Sequence, residues 1–465
     1  MELGWTLSPQ VSASYRGGYV SCRRDTDAMK SRTRLFAYPS DLAELVRSHL
    51  RAMHARSPAL SALKELLEVA FFASMKTEEA EPVLCNLAYV DMNNPDPSPP
   101  KRIVADRWSY VRFEDPIIFD VKNLVKISKS IDSSCGALAV YKNASGNLVI
   151  WGAIDQQGQR AAYTTREADE GPESPGVLQV SISGVGVIEV YRGYTLLGAL
   201  RQGHLTYGFS DVLEQPGPIQ SILQDTITSI VRRVEAKVGI VIFHKRDHWA
   251  DSISTQWRQA LARILLGVQR YGHGGAILLT PDDRNTGLSV KYPIEYRRLG
   301  DALRRLSVQT INLCDAEDEI GEQFLDKNEE AIPVILHLDQ AVATFEKADT
   351  QDEVTGCIRF IASLSRIDGL IVMNRELTVR GYGGIIKVKE EPSGVWIAGD
   401  AAATEKTLRE INPGHFGTRH QSMMRICYHR PGSIGFVISQ DGDVRAMTRV
   451  RNGLIIWEDV KLRLA

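Results

Sequence analysis

Long apolar runs are missing from this 465-residue chain. No stretch of about 18 apolar residues occurs, so no transmembrane helix and no membrane partner are expected. The N-terminus has no hydrophobic signal core. From Arg16 to Arg34 it is loose and basic, and residues 1–35 read as a disordered leader or a start codon placed too early. Cysteine is sparse: the six, at positions 22, 85, 135, 314, 357 and 427, form no CxxC pair and no Cys/His cluster at zinc-ligand spacing. Cys135, Cys314, Cys357 and Cys427 lie in apolar runs, which fits reduced core thiols in a cytoplasmic protein rather than a disulfide scaffold. Excess charge is absent too. With 55 basic and 57 acidic side chains the formal net charge is -2, so bulk attraction to a nucleic-acid polymer is not expected, whereas one small nucleotide is compatible. GxSxG, Walker A and a GxGxxG in strand-to-helix context are all missing, which removes the usual nucleophile elbow and the common phosphate loops.

What remains is the composition of a globular protein, 43% hydrophobic and 24% charged, in a chain longer than one core usually serves. Leu42, Leu45, Val46 and Leu50, then Leu60, Leu63, Leu66, Leu67 and Phe71, have helical spacing and predict two helices parted near Ser57–Pro58. A strand over 83–90, a Pro-rich loop over 93–100 and an ambiguous short element over 117–127 follow. CGALAVY, a turn and LVIWGAI predict a hairpin over 135–154. Residues 155–176 read as an exposed polar loop, and three more strands run to about Gly208, with Gly193, Gly203 and Gly208 in turns and Gly198 at a bulge. Residues 216–269 are helical apart from a β-branched stretch near 238–243. Gly272-His273-Gly274-Gly275 leads into the buried strand AILLTP, residues 299–306 read as helix, and a long helix spans 334–363 with a break near Asp349. The segments 135–154, 274–281 and 368–386 share a small-residue start before an apolar strand. This is read as the common look of a buried hairpin rather than as a decayed duplication.

The C-terminal stretch carries the chemistry. Asp368-Gly369-Leu370 opens a strand, and an acid beside glycine at a strand start can present a carboxylate to a divalent cation and a phosphate. Gly417-Thr418-Arg419-His420 opens a helix. Thr418 is suited to the N-cap, the free amides of the first turn favour an anion, and Gly417 permits close backbone approach. Arg419 can grip phosphate oxygens in bidentate fashion, and His420 can donate a proton or ligate a metal. His273 before AILLTP reads first as part of a tight turn. Lys291–Tyr296 reads as half-buried core, with base stacking the alternative, and His244–Trp249 as a solvated loop.

Taken together, Asp368-Gly369-Leu370, Gly417-Thr418-Arg419-His420-Gln421 and Ser439-Gln440-Asp441 resemble, in order and context, the Asp-Gly-Ala, Gly-Thr-Arg-His-Arg and Ser-Glu-Glu motifs of diadenylate cyclase domains. The strong resemblance covers about a quarter of the chain. The whole chain, including GHGGAILLTP, is similar to a bacterial group of cyclase-like sensor proteins labelled DACNV. The resemblance implies an α/β fold, with a mixed sheet flanked by helices in a nucleotide-binding domain over 332–465. An α+β domain over 36–215 and a helical connecting segment over 216–331 would precede it. It implies that Asp368 and His420 are catalytic and metal-binding residues, and that Gly369, Gly417, Thr418, Arg419, Ser439, Asp441 and His273 hold the nucleotide. Mg²⁺ or Mn²⁺ would accompany ATP or another adenine nucleotide, in a homodimer or higher oligomer that signals to a separate effector protein. The departures point from turnover toward binding: Leu370 would crowd the nucleotide, Gln421 removes a cation, and Gln440 and Asp441 alter the acidic pair. The expected function is an adenine-nucleotide sensor. The alternative is an active cyclase condensing two ATP to cyclic di-AMP.

Overall fold

The computed structural model describes residues 36–96, 107–168, 171, 176–201, 203–206, 211–238, 246–281, 287–321, 332–440, 442–458, 460 and 462–463. Helices and strands alternate around two mixed sheets, an α/β architecture. The amphipathic α1 (Pro39–Ala52) and α2 (Leu60–Ser74) come first, followed by a minimal hairpin of β1 (Thr77–Glu78) and β2 (Glu81–Pro82). The first large sheet takes β3 (Cys85–Tyr89), β4 (Ser109–Ile118), β5 (Gly136–Lys142), β6 (Leu148–Asp155), β7 (Leu178–Gly184), β8 (Val187–Arg192), β9 (Thr195–Arg201) and β10 (His204–Thr206). Its order is β10-β9-β8-β7-β3-β5-β6-β4. α3 (Val121–Ile127) joins α1 and α2 over one face, where Leu42, Leu63, Leu67, Leu87, Leu138 and Ile150 share a core.

Helices α5 (Pro218–Val238) and α6 (Arg246–Arg270) lead into the second sheet. Its strands are β11 (Gly275–Thr280), β12 (Leu288–Tyr296), β13 (Leu370–Asn374), β14 (Val379–Ile386), β15 (Val395–Ile397), β16 (Arg409–Glu410), β17 (Ile434–Ile438), β18 (Val444–Val450) and β19 (Gly453–Trp457). α7 (Arg298–Ile320) and α8 (Val334–Ser363) separate β12 from β13. They pack with α5 and α6 on one face of the sheet, and α9 (Thr418–His429) packs on the other. The sheet begins well before residue 332, because the apolar run after Gly274 supplies its central strand. β11 lies between β13, to which it is parallel, and β17.

Several expectations need correction. Residues 155–176 contain α4 (Gln157–Thr164), whose buried positions are the polar Arg160 and Thr164, so no apolar period announces it. α8 runs unbroken through Asp349, which is exposed on a helix that buries Ala343, Thr350 and Val354. α7 extends to Ile320, well beyond residue 306. Arg246 begins α6 rather than a solvated loop, and Trp249 is buried in the core; His244 and Lys245 lie outside the described residues. The Gly198 bulge is present, with a register shift beside it, and a side chain there would strike Leu45 and Leu42.

The two sheets repeat one topology. In the first, β3 is parallel to β5 and antiparallel to β7, β5 forms a hairpin with β6, β4 borders β6, and β7-β8-β9 is a meander. In the second, β11, β13, β17, β14, β12 and β17-β18-β19 hold the same relations. With Cys85 and Gly275 aligned at the start of the central strands, Leu87 pairs with Leu138 as Ile277 pairs with Ile371. Gly136 then falls at the place of Gly369. Ala139 pairs with Gly152 as Val372 pairs with Gly381, and both glycines lie against the backbone of the bordering edge strand beside a register shift. Generic hairpins do not require glycines at matched register positions, so the pattern shared by 135–154 and 368–386 reflects a repeated topology, whereas 274–281 corresponds to β3 rather than to either hairpin.

Candidate functional site

A cleft of about 230 Å³ opens at the end of the second sheet where β11 and β13 start and β17 stops, lined by His273, Gly274, Ser365, Arg366, Ile367, Asp368, Gly369 and Arg419. Three segments far apart in sequence meet here because the parallel pair β11–β13 brings their N-terminal ends side by side. α9 begins on the adjoining face. The cleft is floored by glycines. A side chain at Gly274 would sit 2.7 Å from an Arg419 guanidinium nitrogen and 2.9 Å from the Ile438 carbonyl, so Arg419 lies directly over bare backbone. Gly369 has φ +116, and a Cβ there would meet the Gly383 backbone at 2.7 Å; only glycine relieves both constraints.

Asp368 and Arg419 are exposed in this cleft. Among the described residues no cation pairs with Asp368 and no carboxylate with Arg419. His273 Nδ1 lies 2.8 Å from the Gly274 carbonyl, which can only accept, so Nδ1 carries the proton. Its Nε2 is buried and has no hydrogen-bond partner among the described residues. The imidazole stacks on Tyr271, over which Arg366 also lies. Ser365 and Arg366 were not singled out from sequence, although they immediately precede the Ile367–Gly369 stretch.

The other residues named from sequence lie elsewhere. Gly417, not Thr418, occupies the N-cap, with φ -64 and ψ 164, and Thr418 is the first helical residue; no side chain caps this end. Neither lines the cleft. Ser439 serves its own turn, its hydroxyl accepting from the Asp443 amide at 3.0 Å. Asp441 lies outside the described residues. Leu370 does not crowd the cleft: it is 4% exposed and packs in the core against Gly384. Gln421 donates to the Phe416 carbonyl at 2.7 Å, tying the preceding loop to the helix. Tyr292 is exposed on the edge strand β12 and stacks on Tyr382.

His420 is half-buried and turned to Arg445, whose guanidinium donates to Nε2 at 3.1 Å. Burial first, then the Arg445 and Arg419 charges, push its pKa down to about 4 from an ordinary 6.5. The ring is therefore neutral at pH 7, and its Nε2 lone pair is engaged. Between about pH 4 and 6.5 the unfolded chain binds a proton at this residue that the folded chain refuses, so stability falls as pH drops through that window. Thermal melts of the His420→Gln variant should lose that part of the acid sensitivity. An unchanged slope would mean the imidazole protonates freely in the fold.

A metal finds limited protein support. Among the described residues no group of three or more His, Cys, Asp or Glu converges, and Asp368 is the one carboxylate on the cleft wall. That donor set fits Mg²⁺, which commonly binds one or two carboxylates together with a ligand's phosphates. It does not fit a closed structural metal site.

Among the described residues no helix is long and apolar enough to cross a membrane. No curated protein and no solved structure matches the chain. Residues 52–155, from α2 to the end of β6 in the first sheet, match the family model described as "Probable sensor domain DACNV".

Proposed function

We propose that the chain is a nucleotide sensor whose C-terminal cleft binds an adenine nucleotide through its phosphates, without turning it over. One observation carries this reading: Arg419 and Asp368, neither of which has an ion-pair partner among the described residues, face one glycine-floored cleft at a sheet end. Arg419 supplies a planar fork for phosphate oxygens over backbone bare enough for close approach. Arg366 adds a second cation at the rim, and Asp368 would hold a Mg²⁺ or Mn²⁺ ion that arrives with the phosphates. The match of the first sheet to a probable sensor domain supports a signalling role. The adenine preference comes from the diadenylate cyclase resemblance.

Turnover to cyclic di-AMP is the second reading, favoured by Asp368 on the cleft wall, which no cation pairs among the described residues. Against it, His420 is engaged by Arg445, and Gln421, where cyclases carry a further cation, is occupied in holding a loop. Calorimetric titration with ATP and Mg²⁺ should detect binding that Arg419→Ala weakens at least tenfold. Near 100 times Kd the ligand should stabilise the fold by about 2.7 kcal/mol. Chromatography of the same mixtures should show ATP unchanged. Cyclic di-AMP formed by the wild type and lost in Asp368→Ala would replace the sensor reading with an enzyme, and absence of both binding and product would overturn the nucleotide assignment.

A further inference from the structure

The N-terminal half of α8 leaves a row of large apolar side chains in solvent. Val334, Ile335, Leu338, Val342 and Phe345 range from 48% exposed at Val342 to 82% at Val334. Ala343, Thr350, Val354 and Cys357 fall on the opposite side of the same helix and pack against α7 and α6. Isolated exposed apolar residues are ordinary, but five on one helix face are not. Ile335, Leu338, Val342 and Phe345 are spaced three and four apart, as positions a, d, a and d of a heptad. Asp349 and Asp352 take the next two places, where the helix turns to serving its own core.

We propose that a second copy of this chain docks here, α8 against α8 and parallel. The period argues for another helix with the same repeat, and β-branched Ile335 and Val342 at a, with Leu338 and Phe345, not branched at Cβ, at d, favour two strands. Charge selects the direction. The flanking e positions are Asp339 and Glu346, and the g positions are Val334, Ala341 and Ala348. Over the heptads from Val334 to Ala348 a parallel pair sets Asp339 and Glu346 opposite small or apolar residues, whereas an antiparallel pair sets carboxylate against carboxylate; the contact ends before Asp349 and Asp352, which would otherwise face their own copies. The five side chains offer on the order of 500 Å² of surface per chain, more than half of the roughly 800 Å² each partner gives to a standard interface. Because α8 leads through a 3₁₀ turn (Leu364–Arg366) to Asp368, parallel docking sets the two clefts at the same end of the pair. The proposal stands whether or not the cleft binds a nucleotide.

Sedimentation of the full chain over a concentration series tests it. The expected result is twice the chain mass for wild type, and the single mass for Leu338→Glu with Phe345→Glu, with a single cooperative unfolding transition retained. Phe345→Glu alone, a milder change at an exposed position, should weaken the dimer at least tenfold. Mild oxidation of Val342→Cys should join two chains through the a–a′ pair, with the native chain as the control for its own cysteines. A monomer at every concentration would overturn the proposal, as would a dimer indifferent to both substitutions. A dimer that never crosslinks through residue 342 would overturn the parallel arrangement.

Discussion

Replacing Arg166 with methionine is expected to destabilise the protein by about 3–5 kcal/mol, the usual cost of stranding buried charges by removing their partner. Arg166 follows α4 and has only 2% of its side chain exposed. Its guanidinium reaches Asp211 at 3.0 Å and Glu214 at 3.5 Å, while Nε donates to the Leu462 carbonyl at 2.6 Å. One side chain thus fastens the first sheet to the entry of α5 and to the end of the chain. Arg258 from α6 still holds Glu214 at 2.7 Å, so Asp211 and the Leu462 carbonyl bear most of the loss. Urea unfolding measures it directly. The deficit should shrink toward pH 5, because an unpaired buried carboxylate can take up a proton, and burial already pushes the Glu214 pKa up. Adding Asp211→Asn should recover part of the stability. A variant as stable as wild type would show that water reaches this cluster.

Gly369→Ala should cost about 2–5 kcal/mol through a different cause, strained backbone together with overlap. At φ +116 an alanine is strained whatever the space around it, and its Cβ would press on Gly383 and Gly384 backbone atoms at 2.7 to 2.9 Å. Backbone cannot swing aside as a side chain can. The β13–β14 pair would have to part at the lip of the cleft, so the urea midpoint and ligand binding should fall together. Gly417→Ala is the control: nothing lies within 4 Å of that Cβ, and little change is expected.

The sequence made some of this readable and hid the rest for physical reasons. α1, α2 and α9 bury apolar stripes, and β5, β6, β11 and β17 are apolar runs bounded by turns, so their patterns speak directly. α4 was missed because its buried side chains are polar, and β12 because an edge strand of alternating Leu288, Val290 and Tyr292 carries a weak signal amid charges. At the cleft, Asp368, Gly369, His273 and Arg419 were named from sequence, and all four line it. The roles of His420 and Gln421 depend on Arg445 and the Phe416 carbonyl. Such contacts are set by how α9 rests on β18, which no local spacing encodes.

The repeated sheet has a consequence for how this chain can change over time. Two separate identical subunits must change together, since one gene encodes both. Two copies in one chain are always made in equal number and yet vary independently. The present pair already differs at a telling place: where the C-terminal copy has Asp368 before its glycine, the N-terminal copy has Cys135 before Gly136. The same place in the fold thus carries an acid in one copy and a thiol in the other, so a substitution at either can be selected without altering its counterpart.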